Sequence, residues 1–97
     1  MWEARVGTNL VGVCGLNRDP FATPAEKAGR VRRLYVIAEF RRQGIASALL
    51  ENVIAVARLH FSLVNAFTTN PAAIRFYTAR GFRTVAGVER RSVELPL

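Results

Sequence analysis

Residues 45–58 (IASALLENVIAVAR) constrain this chain more than any other segment. Ile45, Leu49, Val53 and Val56 recur at helical spacing, and Ala46, Leu50, Ile54 and Ala57 widen the apolar stripe. A helix with so broad an apolar face needs a sheet to lie on. Residues 30–37 (RVRRLYVI) before it are rich in β-branched and aromatic side chains, and 61–67 (FSLVNAF) after it read the same way. Strand, helix, strand makes a βαβ unit, whose two strands are expected to be parallel. Arg58 and His60 stand where cations favour a helix C-terminus.

The other segments complete a sheet around that unit. Residues 2–6 (WEARV) alternate apolar and polar, Gly7-Thr8-Asn9 is a turn, and 10–17 (LVGVCGLN) form a second run, so the three read as an antiparallel hairpin. Gly12 and Gly15 in that run mark a bulge or a close approach. Residues 18–29 (RDPFATPAEKAG), polar and with two prolines, predict a mobile loop, and EFRRQG after the third strand is a short turn. Asn70-Pro71 opens a second helix, with a favoured N-cap followed by a favoured first residue, and Gly81 closes it. Residues 82–87 (FRTVAG) and 90–95 (RRSVEL) read as a final antiparallel pair. The outline is βββαβαββ, an α/β mixed sheet with two helices in one domain, residues 1–97.

Composition narrows the function classes. With 51% hydrophobic and 22% charged residues the chain is not of disordered composition. Its apolar stretches are broken before membrane-spanning length, so no membrane is expected. Glu3, Arg5, Asn17, Arg18 and Asp19 do not fit a signal peptide, and Cys14, the single cysteine, allows no intrachain disulfide. Both point to a cytoplasmic protein. The net charge is +7, and only Lys27 among the 14 cations is not arginine. The planar guanidinium suits phosphate, which favours an anionic partner, although a solubilising surface accounts equally well for most single arginines.

Arg41-Arg42-Gln43-Gly44-Ile45-Ala46 lies between the third strand and the strong helix. A helix start leaves backbone N–H groups unpartnered and carries roughly half a positive charge. Gly44 has no Cβ, Ala46 and Ser47 are small, and Arg41 and Arg42 add full charge, so the segment suits a pyrophosphate. A plain chain turn with two solvated arginines explains the same spacing as well. The segment is neither a Walker A loop nor a dinucleotide fingerprint.

Arg41-x-x-Gly44-x-Ala46, with Leu34-Tyr35-Val36 before it, resembles the R/Q-x-x-G-x-G/A signature and central strand of the GCN5-related N-acetyltransferases. Residues 70–82 (NPAAIRFYTARGF) resemble a second pattern of that family, with Asn70, Ala73, Phe76, Tyr77, Gly81 and Phe82 matching. Ala38 stands where many members have proline. The resemblance implies that fold, acetyl-CoA as cosubstrate and no metal. It implies cofactor contacts at Leu34, Tyr35 and Val36 through the backbone, at Arg41, Arg42, Gln43, Gly44, Ile45, Ala46 and Ser47 in the phosphate loop, and at Asn70 and Tyr77. It also implies that the Tyr77 hydroxyl protonates the departing thiolate. A core-packing ring remains the alternative for Tyr77, and an N-cap for Asn70. Arg75 and Arg80 could face the cofactor's phosphates as well.

Two departures stand out. Arg30, Arg32 and Arg33 occupy the strand where the family often carries a basic carboxylate, and no motif supports Glu3, Glu39 or His60 in that role. The family's first strand and two helices, one wall of the acceptor groove, have no counterpart here. A truncation, a minimal member or a second copy supplying the wall would each account for that, and an uncovered apolar sheet face would favour a homodimer. The expected function is transfer of an acetyl group from acetyl-CoA to a primary amine of a small molecule or peptide, the acceptor unidentified. A non-catalytic CoA-binding module or inactive fragment is the alternative. A nucleic-acid binder rests on charge alone, without a recognition helix, zinc ligands or a stacking platform.

Overall fold

In the computed structural model, which describes residues 1–97, strands β1 (Trp2–Val6) and β2 (Asn9–Arg18) form the expected hairpin. Strand β3 (Ala28–Val36) leads into helix α1 (Ile45–His60), strand β4 (Leu63–Ala66) precedes helix α2 (Pro71–Thr78), and β5 (Arg83–Thr84) and β6 (Val93–Pro96) close the chain. The sheet order is β1-β2-β3-β4-β6-β5, and β3 and β4 are its one parallel pair. This is the βββαβαββ outline.

The boundaries differ where tertiary contacts override pattern. Helix α1 runs on through Leu59 and His60 until Phe61 turns extended at φ −131. The last pair is shorter than the pattern suggests. Strand β6 starts at Val93, which pairs with both Ala66 and Thr84, and residues 88–92 form a turn in which Arg90 takes φ 55.

The core lies between the sheet and the two helices. Leu49, Leu50, Val53 and Ala57 of α1 bury against Cys14, Val31, Val36 and Val64. Each fully buried Leu or Val contributes roughly 1.5–3 kcal/mol. Gly12 permits the close approach, since a Cβ there would stand 3.1 Å from the Leu49 side chain and 3.2 Å from the Tyr35 carbonyl oxygen.

Pairing between β3 and β4 covers only Ala28–Arg30 against Leu63–Asn65. Beyond Arg30 the strands part, and residues 31–36 of β3 have no partner on that side. On the other side the register with β2 shifts between Val13 and Gly15, which face Tyr35 and Arg32. Cys14 of β2 thus opposes both Arg33 and Leu34 of β3, a bulge in which Arg33 takes φ 54.

Directly opposed residues share a face of the sheet. Gly12 looks onto α1, so its partner Val36 does too, while the Val13–Tyr35 and Gly15–Arg32 pairs look away from the helices. This open face also carries Glu3, Asn17 and Arg30. Its charged side chains stand beside the exposed apolar residues Met1, Tyr35, Phe21 and Phe67.

The 18–29 segment is tied down instead of hanging free. Asp19 is 3% exposed, accepts from Asn65 Nδ2 at 2.9 Å, and meets Arg91 Nη2 at 3.5 Å. Arg91, itself buried, also pairs with Glu26 and with Glu94. The network binds the 19–27 segment to the β5–β6 turn.

Candidate active site

At the C-terminal end of β3 the chain turns through a 3-10 segment, Ala38–Phe40, into α1. Gly44 is the N-cap of α1 at φ 79, a left-handed conformation that side chains with a Cβ resist. Residues with that backbone turn the following amides outward. Those of Ile45, Ala46 and Ser47 bond to nothing in the chain; the first intrahelical bond is Ala48 N to Gly44 O at 3.0 Å. No acidic residue stands in the first turn. A cavity of about 250 Å³ lies over these amides, lined by Phe40, Arg41, Arg42, Gly44–Ser47, Val36, Phe76 and Arg80. Three unpartnered amides, a helix dipole and nearby guanidinium groups make an anion cradle.

A second cavity of about 310 Å³ shares Val36, Arg41, Ala46 and Phe76 with the first and continues to Leu34, Tyr35, Ala72, Ala73 and Tyr77. It lies along residues 34–36 of β3, part of the stretch that no longer pairs with β4. Ile37 N donates to Val11 O across the hairpin side, so by alternation Val36 directs its own N–H and C=O into the gap. The slot is lined by Tyr77 from the helix side and by Tyr35, whose side chain belongs to the open face.

Tyr77 is 6% exposed and packs against Phe82, with ring centroids 5.0 Å apart, and against Phe76 at 5.5 Å. Burial, reinforced by the nearby Cys14 thiol, pushes its phenol well above the ordinary tyrosine range. Its hydroxyl therefore stays protonated at any working pH. Burial also pushes Cys14 up to about 11, against a smaller opposing effect of the Gly15 carbonyl contact and the chain's N-terminal charge.

The sequence profile described as "Acetyltransferase (GNAT) family" matches residues 1–82. The chain belongs to the GNAT acetyltransferase family.

Its fold recurs among solved members and relatives. An acetyltransferase candidate from Exiguobacterium sp. 255-15 is 28% identical, with a TM-score of 0.84 over 97% of this chain and 60% of that one. Ribosomal-protein-alanine N-acetyltransferase from Brucella melitensis is 20% identical, with a TM-score of 0.75 over 98% and 67% of the two chains. N-acetylglutamate synthase from Neisseria gonorrhoeae, solved with coenzyme A and N-acetylglutamate, is 21% identical, with a TM-score of 0.76 over 95% of this chain and 24% of that one. The chain thus spans about 60% of the length of the first of these. No curated protein matches it in sequence.

For a GNAT member, the structure distributes the expected contact residues unevenly. Leu34, Tyr35 and Val36 line the slot, and Arg41, Arg42, Gly44, Ile45, Ala46 and Ser47 line the cradle. Gln43 does not; its side chain turns back to the Glu39 carbonyl at 3.4 Å. Asn70 Oδ1 accepts from Ala72 N at 2.9 Å, which makes it the N-cap of α2, and it does not line the slot. Arg41 Nε donates to Val36 O at 2.8 Å and its guanidinium lies 5.5 Å from the Tyr35 ring centroid, so it braces the strand edge. Arg75 lines neither cavity, whereas Arg80 lines the cradle and stacks 3.8 Å over Phe76. Phe40 and Phe76 were missed as site residues because an aromatic in an apolar pattern reads as core. No three His, Cys, Asp or Glu side chains gather to hold a metal, and no helix is long and apolar enough to cross a membrane.

Proposed function

We propose that this chain is an acetyl-CoA-dependent N-acetyltransferase that moves an acetyl group to a primary amine of a small molecule or peptide. One observation carries the reading: the anion cradle and the Tyr77 slot are continuous, sharing Val36, Arg41, Ala46 and Phe76. A ligand with a pyrophosphate at one end and an apolar arm ending in a thioester matches that sequence of environments. The thioester, when bound, supplies the activated acetyl group. The amides of Ile45, Ala46 and Ser47, with Arg42 and Arg80, hold the phosphates. The Val36 amide, directed into the gap, is placed to bond the arm or polarise the thioester carbonyl. Tyr77, held protonated by burial, donates its hydroxyl proton to the departing sulfur, a contribution of typically 10²- to 10⁴-fold.

A second reading has its own support. The slot lining contains no Asp, Glu or His to take the amine's proton. A CoA-binding module without turnover fits that lining. Calorimetry with acetyl-CoA on the wild type and Gly44→Asp tests the shared part of both readings: micromolar binding abolished by the substitution is expected, and no wild-type binding overturns both. Thiol release across a panel of amines then separates them, since the module binds the cofactor and releases none.

A further inference from the structure

We infer that the acceptor side of this site selects an amine that also carries an anionic group, a carboxylate or a phosphate. The inference rests on the acetyltransferase reading and adds the acceptor's chemistry to it.

The β3–β4 ladder stops after Arg30 and Asn65, so the gap beyond it is open to the charged face as well as to the helices, and a second ligand can meet the first from that face. By register, Arg32 on β3 and Phe67, the residue after β4, stand on either side of the gap, and Arg32 also borders a neighbouring cavity with Met1, Gly15 and Asn17. Arg30 pairs with Asn65 at the last rung before the strands part, which sets Arg32 and Phe67 level with each other just beyond it. Arg32 precedes Leu34 of the slot by two residues, across the bulge at Arg33. A molecule reaching into the gap with its amine thus leaves its other end beside these arginines.

The arginines are uncommitted. Arg30, Arg32 and Arg90 form no ion pair, whereas Arg5, Arg83 and Arg91 do. Two are also held in place. The Arg30 guanidinium lies 5.4 Å from the Phe21 ring centroid, and that of Arg90 lies 5.9 Å from Phe21 and 5.7 Å from Phe67. Arg90 adopts φ 55, a conformation that persists only where surroundings impose it. Those surroundings are the buried charge network. Asp19 bonds the Phe21 amide at 2.9 Å, and Arg91, next to Arg90, bridges Asp19, Glu26 and Glu94. The two half-exposed phenylalanines and the network fix guanidinium groups at the mouth of the gap before any ligand arrives, which favours a charge-assisted bond to a fixed anion.

The test uses matched acceptors: β-alanine and its amide, glutamate and its diamide, and O-phosphoethanolamine and ethanolamine, the last pair distinguishing phosphate from carboxylate. The initial rate of thiol release is read for wild type, Arg30→Gln/Arg90→Gln, and Arg58→Gln as a surface control at the far end of α1. The anionic member of at least one pair is expected to have the higher kcat/KM by tenfold or more. That ratio should fall towards one in the double variant, with the KM for acetyl-CoA unchanged, and persist in Arg58→Gln. A ratio near one in the wild type, or a preference that survives the double substitution, overturns the inference. A second readout needs no turnover: titration of the protein with glutarate in the presence of saturating coenzyme A, which fills the cradle, followed through the arginine Nε–H resonances. Shifts confined to Arg30, Arg32 and Arg90 are expected; shifts spread evenly over all arginines, or none, overturn it. Localised glutarate binding without acetylation of any amine keeps the anion site and removes the transferase reading. Acetylation blind to charge keeps the transferase and removes the inference.

Discussion

Arg80 Nε donates to Ser47 Oγ at 2.7 Å, joining the end of α2 to the first turn of α1 across the anion cradle. The same guanidinium donates to the Phe76 carbonyl at 2.9 Å and stacks on the Phe76 ring. It is thus held over the cradle from three directions. Arg80→Ala should weaken acetyl-CoA binding roughly tenfold to a hundredfold, the value of about 1.5–3 kcal/mol for a bond to a charged group. Calorimetry at fixed moderate salt checks it. Equal affinity would mean that Arg80 only ties the helices together.

Gly44 separates backbone from electrostatics. A Cβ there meets no atom within 4 Å, but the residue sits at φ 79. Gly44→Ala should therefore cost about 1–2 kcal/mol of stability through strain alone. Gly44→Asp should cost similarly in stability but lose acetyl-CoA binding altogether, because its carboxylate faces the cradle. Thermal melts set beside calorimetry on the two variants separate the effects.

Tyr77→Phe sets function against stability. No hydrogen bond supports the Tyr77 hydroxyl, and its ring packs on Phe76 and Phe82. Removing the oxygen should leave the melting temperature unchanged or slightly raised. Turnover should fall about a hundredfold or more, with acetyl-CoA affinity nearly intact. Unchanged turnover would show that another group protonates the sulfur.

The Arg91 network predicts how stability depends on pH. Burial alone would raise the Glu94 carboxyl; bonds from Arg83 and Arg91 outweigh it and hold the group below its ordinary 4.5. The folded state therefore binds that proton more weakly than the unfolded chain does. The stabilisation is complete above pH 4.5 and is lost as pH falls through the lower folded value. Urea midpoints should hold from neutrality to about pH 5 and then drop, less steeply in Glu94→Gln. Arg91→Met, which leaves Asp19 buried without its cation and Glu94 with Arg83 alone, should lose about 3–5 kcal/mol at neutral pH.

The fold was legible because its strongest signals are local. The 45–58 periodicity and the Asn70-Pro71 start each fix an element from within a few residues. The cradle was legible for the same reason: Arg41, Gly44 and Ala46 lie in one short loop. What stayed hidden is long-range. Asp19 and Arg91 are 72 residues apart, and neither looks buried by type, so the 18–29 segment reads as a free loop. Arg80 belongs to the cradle only because α2 folds back onto α1. The parting of β3 from β4 depends on where the ladder stops, which no side-chain pattern encodes.

Cys14 gives the last prediction. It is fully buried beneath α1 and its thiol is pushed up to about 11, mainly by burial. At pH 8, three units lower, about one thiol in a thousand is ionised, against roughly a quarter for an ordinary cysteine of pKa near 8.5. Alkylation by iodoacetamide should therefore be at least about a hundredfold slower in the folded protein than in urea. Since Cys14 lies in the cluster that holds Tyr77, acetyl-CoA should slow it further only by stabilising the folded state. Labelling rates measured against cofactor concentration would then report cofactor affinity without any acceptor. A folded-state rate close to that in urea would show that the β2–α1 core opens freely, and that the site rests on a weaker frame than its burial implies.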